Sequence, residues 1–329
     1  MSQRGEMMVS VERWEPKTPF RISGRILEVS GIVCVSLSDG RYTGYGEGWP
    51  FSRFGQTVEA SLAELESVRE QVQQGLSRDA LLDVLPAGAA RNALDCALWD
   101  LEAKQQQTTV WQLAGLPAPA TLVTAVTLSL DTPDKMAQAA RQRAGCPLFK
   151  IKLGESGDME RLRAIRQAAP DTRLVVDVNE GWSLAQLKDN MPTLVELGIE
   201  MIEQPLPAAD DAALAGYQSP IPISADERCH TTQDLPGLLG RYQMVTIKLD
   251  KTGGLTEALR LAQEAKALGL GLMVGCMLGT SRAMAAGYVV GSLCKIVDLD
   301  APLHLAGDRD HAMHYNQGRV SSFTSQLWG

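Results

Sequence analysis

From about residue 123 onward the chain keeps one rhythm: a short apolar run, in nearly every case closed by a charged residue, then an amphipathic stretch. No other feature restricts the fold as much. The runs are 123–130, 148–153, 174–179, 201–204, 223–227, 244–250, 272–277 and 295–300. The strand-end residues Lys150, Asp177, Glu203, Asp226 and Lys248 follow one another at intervals of 27, 26, 23 and 22 residues. Alternation at this pitch predicts a parallel α/β sheet, and eight units suffice to close a (β/α)8, TIM-like barrel. An open doubly wound sheet competes on rhythm alone.

The chain before residue 119 reads differently. Residues 32–37 and 44–48, with Ser38-Asp39-Gly40 between them, predict a hairpin. Stretches 57–75 and 89–104 predict helices, the second with Ala93, Leu94, Ala97, Leu98 and Leu101 on one face. Leu116-Pro117-Ala118-Pro119 breaks the pattern, so we divide the chain into 1–118 (α+β), 119–302 (barrel) and a 303–329 tail that packs back on the first part. Gly44-Tyr45-Gly46-Glu47-Gly48 is no nucleotide loop, because it lacks the G-x-G-x-x-G spacing and runs into Trp49-Pro50 instead of a helix.

Composition removes several partners. Thirty-one Lys and Arg against 39 Asp and Glu give a net charge of -8, with no basic block, so nucleic acid is not an expected partner. The longest nearly apolar run, 267–279, is too short and glycine-rich to cross a membrane, and Arg4, Glu6, Glu12 and Glu15 interrupt any leader-like core; a cytoplasmic protein is expected. Six scattered cysteines without a C-x-x-C pair read as reduced thiols, and Cys229 and Cys276 lack a base to activate them. His230, His304, His311 and His314 read as surface or supporting residues.

In a barrel of this type chemistry gathers at the carboxyl ends of the strands. Side chains alternate along a strand, so Lys150 with Lys152, Asp177 with Asn179, Lys248 with Asp250 and Asp298 with Asp300 face the mouth, while Ile151, Val178, Leu249 and Leu299 face the helices. Asp177, Glu203 and Asp226, on three consecutive strands, can converge on a hard divalent cation, Mg²⁺ or Mn²⁺. Each alone could instead cap the next helix. Lys152 and Lys248 flank them from opposite sides, the geometry of two bases acting on one carbon. The like charge of Lys150 is expected to push the Lys152 amine toward its neutral form.

The segments Lys150-Ile151-Lys152, Asp177-Val178-Asn179-Glu180, Glu203-Gln204-Pro205, Ala225-Asp226-Glu227 and Lys248-Leu249-Asp250-Lys251-Thr252-Gly253-Gly254 stand in an order that resembles the enolase superfamily, in its muconate-lactonizing-like subgroup. The resemblance runs over almost the whole chain. It implies one Mg²⁺ per subunit on Asp177, Glu203 and Asp226, with Mn²⁺ as a substitute, and Lys152 and Lys248 as the acid/base pair. Lys150 would contact substrate, with Asn179, Glu227 and Asp250 behind the site. The amino-terminal part and the tail would form an α+β capping domain. The shared step is removal of a proton α to a carboxylate, giving an enediolate.

Asp298-Leu299-Asp300 is similar to the D-x-D of dipeptide epimerases, where two carboxylates hold the substrate's α-ammonium. The stretch 88–100 and Gly275-Cys276-Met277-Leu278 resemble the bacterial L-Ala-D/L-Glu epimerases of murein peptide recycling. One position departs: Gly24 stands where that group has an arginine, with Arg25 beside it and Arg21 and Arg53 on neighbouring loops. The expectation is a dipeptide epimerase with a small dipeptide as partner, Arg25 meeting the acidic side chain; a homo-oligomer follows only from the family. A cycloisomerase or o-succinylbenzoate synthase-like enzyme is the alternative. A non-catalytic metal- or ligand-binding barrel has no use for both lysines.

Overall fold

The computed structural model describes residues 6–17, 21–22, 25–26, 31–118 and 121–329, with backbone alone at 21–22 and 25–26. The amino-terminal part is an antiparallel sheet of β1 (Glu6–Glu12), β2 (Ile32–Ser38) and β3 (Thr43–Gly48), in that order. The long helix Ala89–Gln105 covers one of its faces. Here the glycines of β3 find their purpose. A Cβ on Gly44 would meet the Ala97 carbonyl and Leu101, on Gly46 the Ala93 carbonyl, and on Gly48 the Ala89 carbonyl. Every second residue of the strand is therefore bare, and the helix backbone lies directly on it. Val33, Val35, Leu37, Leu65, Leu81, Ala93 and Leu94 fill the core around this contact. The single helix expected over 57–75 is two, Val58–Ser67 and Arg69–Gln73, because the backbone leaves helical geometry at Val68.

The barrel strands are β4 (Val126–Leu128), β5 (Leu148–Lys152), β6 (Arg173–Asp177), β7 (Ile199–Glu203), β8 (Ile223–Ala225), β9 (Met244–Ile247), β10 (Gly271–Val274) and β11 (Ile296–Val297). They pair in parallel and in sequence order. The Ala125 amide donates to the Val297 carbonyl at 2.7 Å, joining the last strand to the first segment and closing the barrel against the open-sheet alternative. The helical rhythm is uneven: β7 and β8 are linked through a short 3-10 turn, Asp211–Leu214.

Alternation sorts the strand residues as expected. Phe149, Ile151, Val176, Val178, Ile202, Val245, Ile247, Leu249 and Leu299 belong to the apolar layer shared with the outer helices. Inside, Ala125, Leu148, Val175, Met201, Met244, Met273 and Ile296 form an apolar floor. Above that floor the interior turns polar, with Lys150, Asp177, Glu203, Thr246 and Asp298 all buried.

Specific polar bonds join the two parts. Asp250 Oδ1 accepts from the Trp49 amide (2.9 Å) and from Asn92 Nδ2 (2.8 Å). Asp95 accepts from the Thr256 amide (3.0 Å), and Glu47 from the Thr280 amide (2.8 Å) and from Arg309 Nη2 (2.8 Å). The tail touches both parts: Arg309 also pairs with Glu12 at 2.7 Å, whereas Arg319–Val320 pairs with Leu122–Val123 beside the barrel. Among the described residues no helix is long and apolar enough to cross a membrane.

The β3 contact sets a stability test. Gly46→Ala forces a methyl group against a helix carbonyl, so urea denaturation should show a loss of about 1–3 kcal/mol, while Ser36→Ala, on the other face of the sheet, should cost little.

Candidate active site

The register of β5, β6 and β7 brings Lys152, Asp177 and Glu203 side by side. Asp226 follows β8 directly, and Lys248 caps the one-turn helix Leu249–Thr252 that follows β9. Three carboxylates, each at most 1% exposed, thus form a row with a lysine at either end. Lys152 Nζ lies 2.6 Å from Asp177 Oδ2 and donates to Asn179 Oδ1 at 3.1 Å. Lys248 Nζ lies 2.6 Å from Asp226 Oδ2.

Lys150 carries counter-charges of its own. Its ammonium sits within ion-pair distance of three carboxylates: Glu203 Oε2 and Asp298 Oδ2, both at 2.8 Å, and Asp177 Oδ2 at 3.1 Å. It is therefore no uncompensated like charge beside Lys152. Burial works against a charged Lys150 and a charged Lys248, but the surrounding carboxylates outweigh it and raise both pKa values.

The carboxylates respond unequally. Burial favours the neutral acid in each, yet Lys152 and Lys150 draw Asp177 down to about 2, and Lys248 and Lys251 hold Asp226 well below the ordinary range. Glu203, in the middle, is pushed up to about 7 by burial and by Asp177, with Lys150 only partly offsetting them. Its Oε1 is buried and has no partner among the described residues. As they stand, no three acidic, histidine or cysteine side chains among the described residues are grouped to hold a metal ion, and ammonium groups lie against Asp177 Oδ2 and Asp226 Oδ2. The donor set, three buried carboxylates with one oxygen unsatisfied, fits a hard divalent cation that would take over part of the lysines' counter-charge.

One pocket gathers the remaining candidates: Lys150, Lys152, Asn179, Asp226, Glu227, Lys248, Asp298 and Asp300 all line it. Asp298 Oδ1 is buried without a hydrogen-bond partner among the described residues. Asp300 Oδ2 accepts from the Thr127 amide at 2.7 Å and faces His304 Nε2 at 3.2 Å. Asn179 Nδ2 donates to Glu227 Oε1 at 3.3 Å. Asp250 is not among the lining residues; the one-turn helix ends strand alternation, and its carboxylate meets Trp49 and Asn92 instead. Trp49, Phe51, Arg53 and Phe54 line the pocket from the amino-terminal part, where Arg53 pairs with Glu180 and lies 3.7 Å from Glu227. Gly24 and the Arg21 and Arg25 side chains lie outside the described residues.

Two supporting residues escape sequence reasoning. Lys251, fully buried, pairs with Asp226 Oδ1 at 2.7 Å and donates to the Asp226, Cys229 and Thr246 carbonyls, tying the ends of β8 and β9 together. Gln204 accepts from the Asp226 amide at 2.9 Å and donates to Tyr242 Oη at 2.9 Å, fixing the turn that presents Asp226. Their place in the segments Glu203-Gln204-Pro205 and Lys248 to Gly254 marks them in the sequence, but nothing there gives these roles.

The family model described as enolase C-terminal domain-like matches residues 134–321, and the mandelate racemase / muconate lactonizing enzyme N-terminal domain matches residues 4–115. The chain is 47% identical to the L-Ala-D/L-Glu epimerase of Escherichia coli (strain K12), covering 94% of this chain and 97% of that protein. It is 42% identical to the N-acetyl-D-glutamate racemase of a Pseudoalteromonas species, over 91% and 95%. A crystal structure from Agrobacterium tumefaciens, an enolase family member with homology to dipeptide epimerases holding sodium and L-Ala-L-Glu, superposes with a TM-score of 0.96 at 46% identity, over 99% of this chain and 100% of that one.

The Glu203 environment sets a pH test. A carboxyl whose folded pKa is raised contributes stability below its unfolded value, and that contribution fades as pH rises through about 7. In EDTA, the unfolding free energy of the wild type relative to Glu203→Gln should therefore decline from about pH 5 to about pH 8. A flat difference in urea denaturation would mean that Glu203 is already compensated.

Proposed function

The chain belongs to the enolase superfamily and is an isomerase; from that premise we propose that it is a Mg²⁺-dependent dipeptide epimerase, with L-Ala-D/L-Glu as its substrate pair. The observation that carries the reading is the row itself, an ammonium on each flank of three buried carboxylates. Asp177, Glu203 and Asp226 would hold the ion, which when bound would neutralise charge developing on the substrate carboxylate. Lys152 and Lys248 then serve opposite faces of the glutamyl α-carbon. One, once neutral, takes the α-proton; the other, still charged, returns a proton from the far side. Two bases with no leaving group favour inversion.

Both lysines rest on carboxylates that would also hold the ion, Lys152 on Asp177 and Lys248 on Asp226, so its positive charge there would weaken the hold on each ammonium group. Lys150, fixed by three carboxylates, marks the inner edge of the substrate carboxylate's place. Asp298 supports the dipeptide reading over a cycloisomerase, because its unsatisfied oxygen suits an α-ammonium and has no counterpart in a cyclic acid. Arg25 is assigned to the glutamyl side chain by the resemblance alone. Residues 1–118 and the 303–329 tail would cap the 119–302 barrel. Such a substrate would place the protein in cytoplasmic recycling of murein peptides.

Incubation with L-Ala-L-Glu and Mg²⁺ in deuterated water should exchange the glutamyl α-proton and yield the D-epimer by NMR and chiral chromatography; EDTA should stop both. Lys152→Ala and Lys248→Ala should each lower epimerisation by about 10²–10⁴-fold or more, and normal turnover by either rules out two bases. Asp298→Asn should raise KM far more than it lowers kcat.

A further inference from the structure

His304 has no part in the mechanism above. It closes the 3-10 turn Ala301–His304 that follows Asp300, lies in the pocket lining, and places Nε2 3.2 Å from Asp300 Oδ2. That same oxygen takes the Thr127 amide at 2.7 Å. Asp298 directs one oxygen to Lys150 at 2.8 Å and keeps the other without a hydrogen-bond partner among the described residues. The recess assigned to the substrate's α-ammonium thus contains two carboxylates, each 4% exposed, a lysine shared with Asp177 and Glu203, and one imidazole.

We propose, resting on the dipeptide reading, that His304 is a specificity-determining residue: neutral, it leaves the Asp300 charge available to a cationic amino terminus, and protonated, it cancels that charge and turns the cation away. The Asp300 carboxylate can only accept, so the neutral imidazole donates from Nε2 and a further proton goes to Nδ1. The Asp300 bond survives both states. Protonation therefore changes the charge of the recess without rebuilding it.

The groups around His304 fit this role. Asp298 and Asp300 act on it from its own segment and Arg143 from the end of helix Pro133–Gln142, while Lys150 and Lys152 of β5 and Cys276 of the loop after β10 line the same pocket. From the amino-terminal segment, the Lys17 amide donates to the His304 carbonyl at 2.8 Å, and Lys17 Nζ to the Leu303 carbonyl at 3.0 Å. Burial opposes the imidazolium, but the Asp300 hydrogen bond and charge outweigh it, so the changeover lies above the ordinary histidine value. An N-acylated substrate carries no ammonium and should be indifferent to it.

His304→Gln keeps a donor toward Asp300 but cannot titrate. Wild type and variant are compared from about pH 5.5 to about 8.5, with KM and kcat for L-Ala-L-Glu and the inhibition constant of N-acetyl-L-Ala-L-Glu. Ionisation of the substrate amine is common to both enzymes and cancels in the ratio. The wild-type kcat/KM relative to the variant should fall as pH drops through the His304 changeover, approaching roughly tenfold per pH unit. The loss should lie in KM, and the N-acetyl ratio should stay flat. NMR titration of the His304 ring in the wild type gives an independent readout: L-Ala-L-Glu should lower its pKa and the N-acetyl compound should not. Parallel profiles, or a ring pKa that ignores L-Ala-L-Glu, overturn the proposal while the dipeptide reading stands. If wild type neither binds nor epimerises dipeptides, the dipeptide reading falls first and the His304 role with it.

Discussion

The structure depends on a balance of charge inside the barrel mouth. Three carboxylates with almost no exposure could not remain ionised there without nearby cations, since burying a lone charge costs several kcal/mol. Lys150, Lys152, Lys248 and Lys251 supply those cations from β5 and from the turn after β9, so the acidic row is pinned at both ends and underneath. The pinning is incomplete at Glu203, whose Oε1 finds no partner among the described residues. A site left short of positive charge at one defined atom has the donor chemistry that a hard cation would satisfy, and Lys152 and Lys248 would then share their carboxylates with it.

What holds this balance in register lies partly outside the barrel. The turn that carries Lys248 also carries Asp250, which is bound to Trp49 and Asn92, and Lys251, which is bound to Asp226. One short helix therefore joins a flanking lysine, an acidic residue of the row and the amino-terminal part. The Trp49 to Phe54 loop, held at its start by Asp250, forms one wall of the pocket.

Much of this was legible because strand alternation has a period of two. Knowing that Ile151, Val178 and Leu299 must face apolar helices is enough to turn Lys150, Lys152, Asp177, Asn179, Asp298 and Asp300 inward. Legibility stopped where the strands stop. Asp250 follows Lys248 by two residues, as Asn179 follows Asp177, but the helical turn sends it toward the amino-terminal part. Lys251 and His304 reach the site from turns, where no period announces them. The Lys150 environment is not legible for another reason: its neighbour along the strand is visible, whereas the three carboxylates around it come from three other strands. The β3 glycines are legible as a hairpin strand and not a nucleotide loop, but their every-second spacing acquires meaning only against the helix lying on them.

The seam between the two parts is written in individual atoms. Asp95, Asp250 and Glu47 are buried where they cross it, each matched to particular amides and side chains on the other side. An apolar seam would accept any partner of similar shape, but buried carboxylates left without their donors are heavily penalised. A chimera that grafts the cap of one relative onto the barrel of another must therefore import both sides of every such bond, so the cap and the barrel turns it is bonded to form one inherited unit.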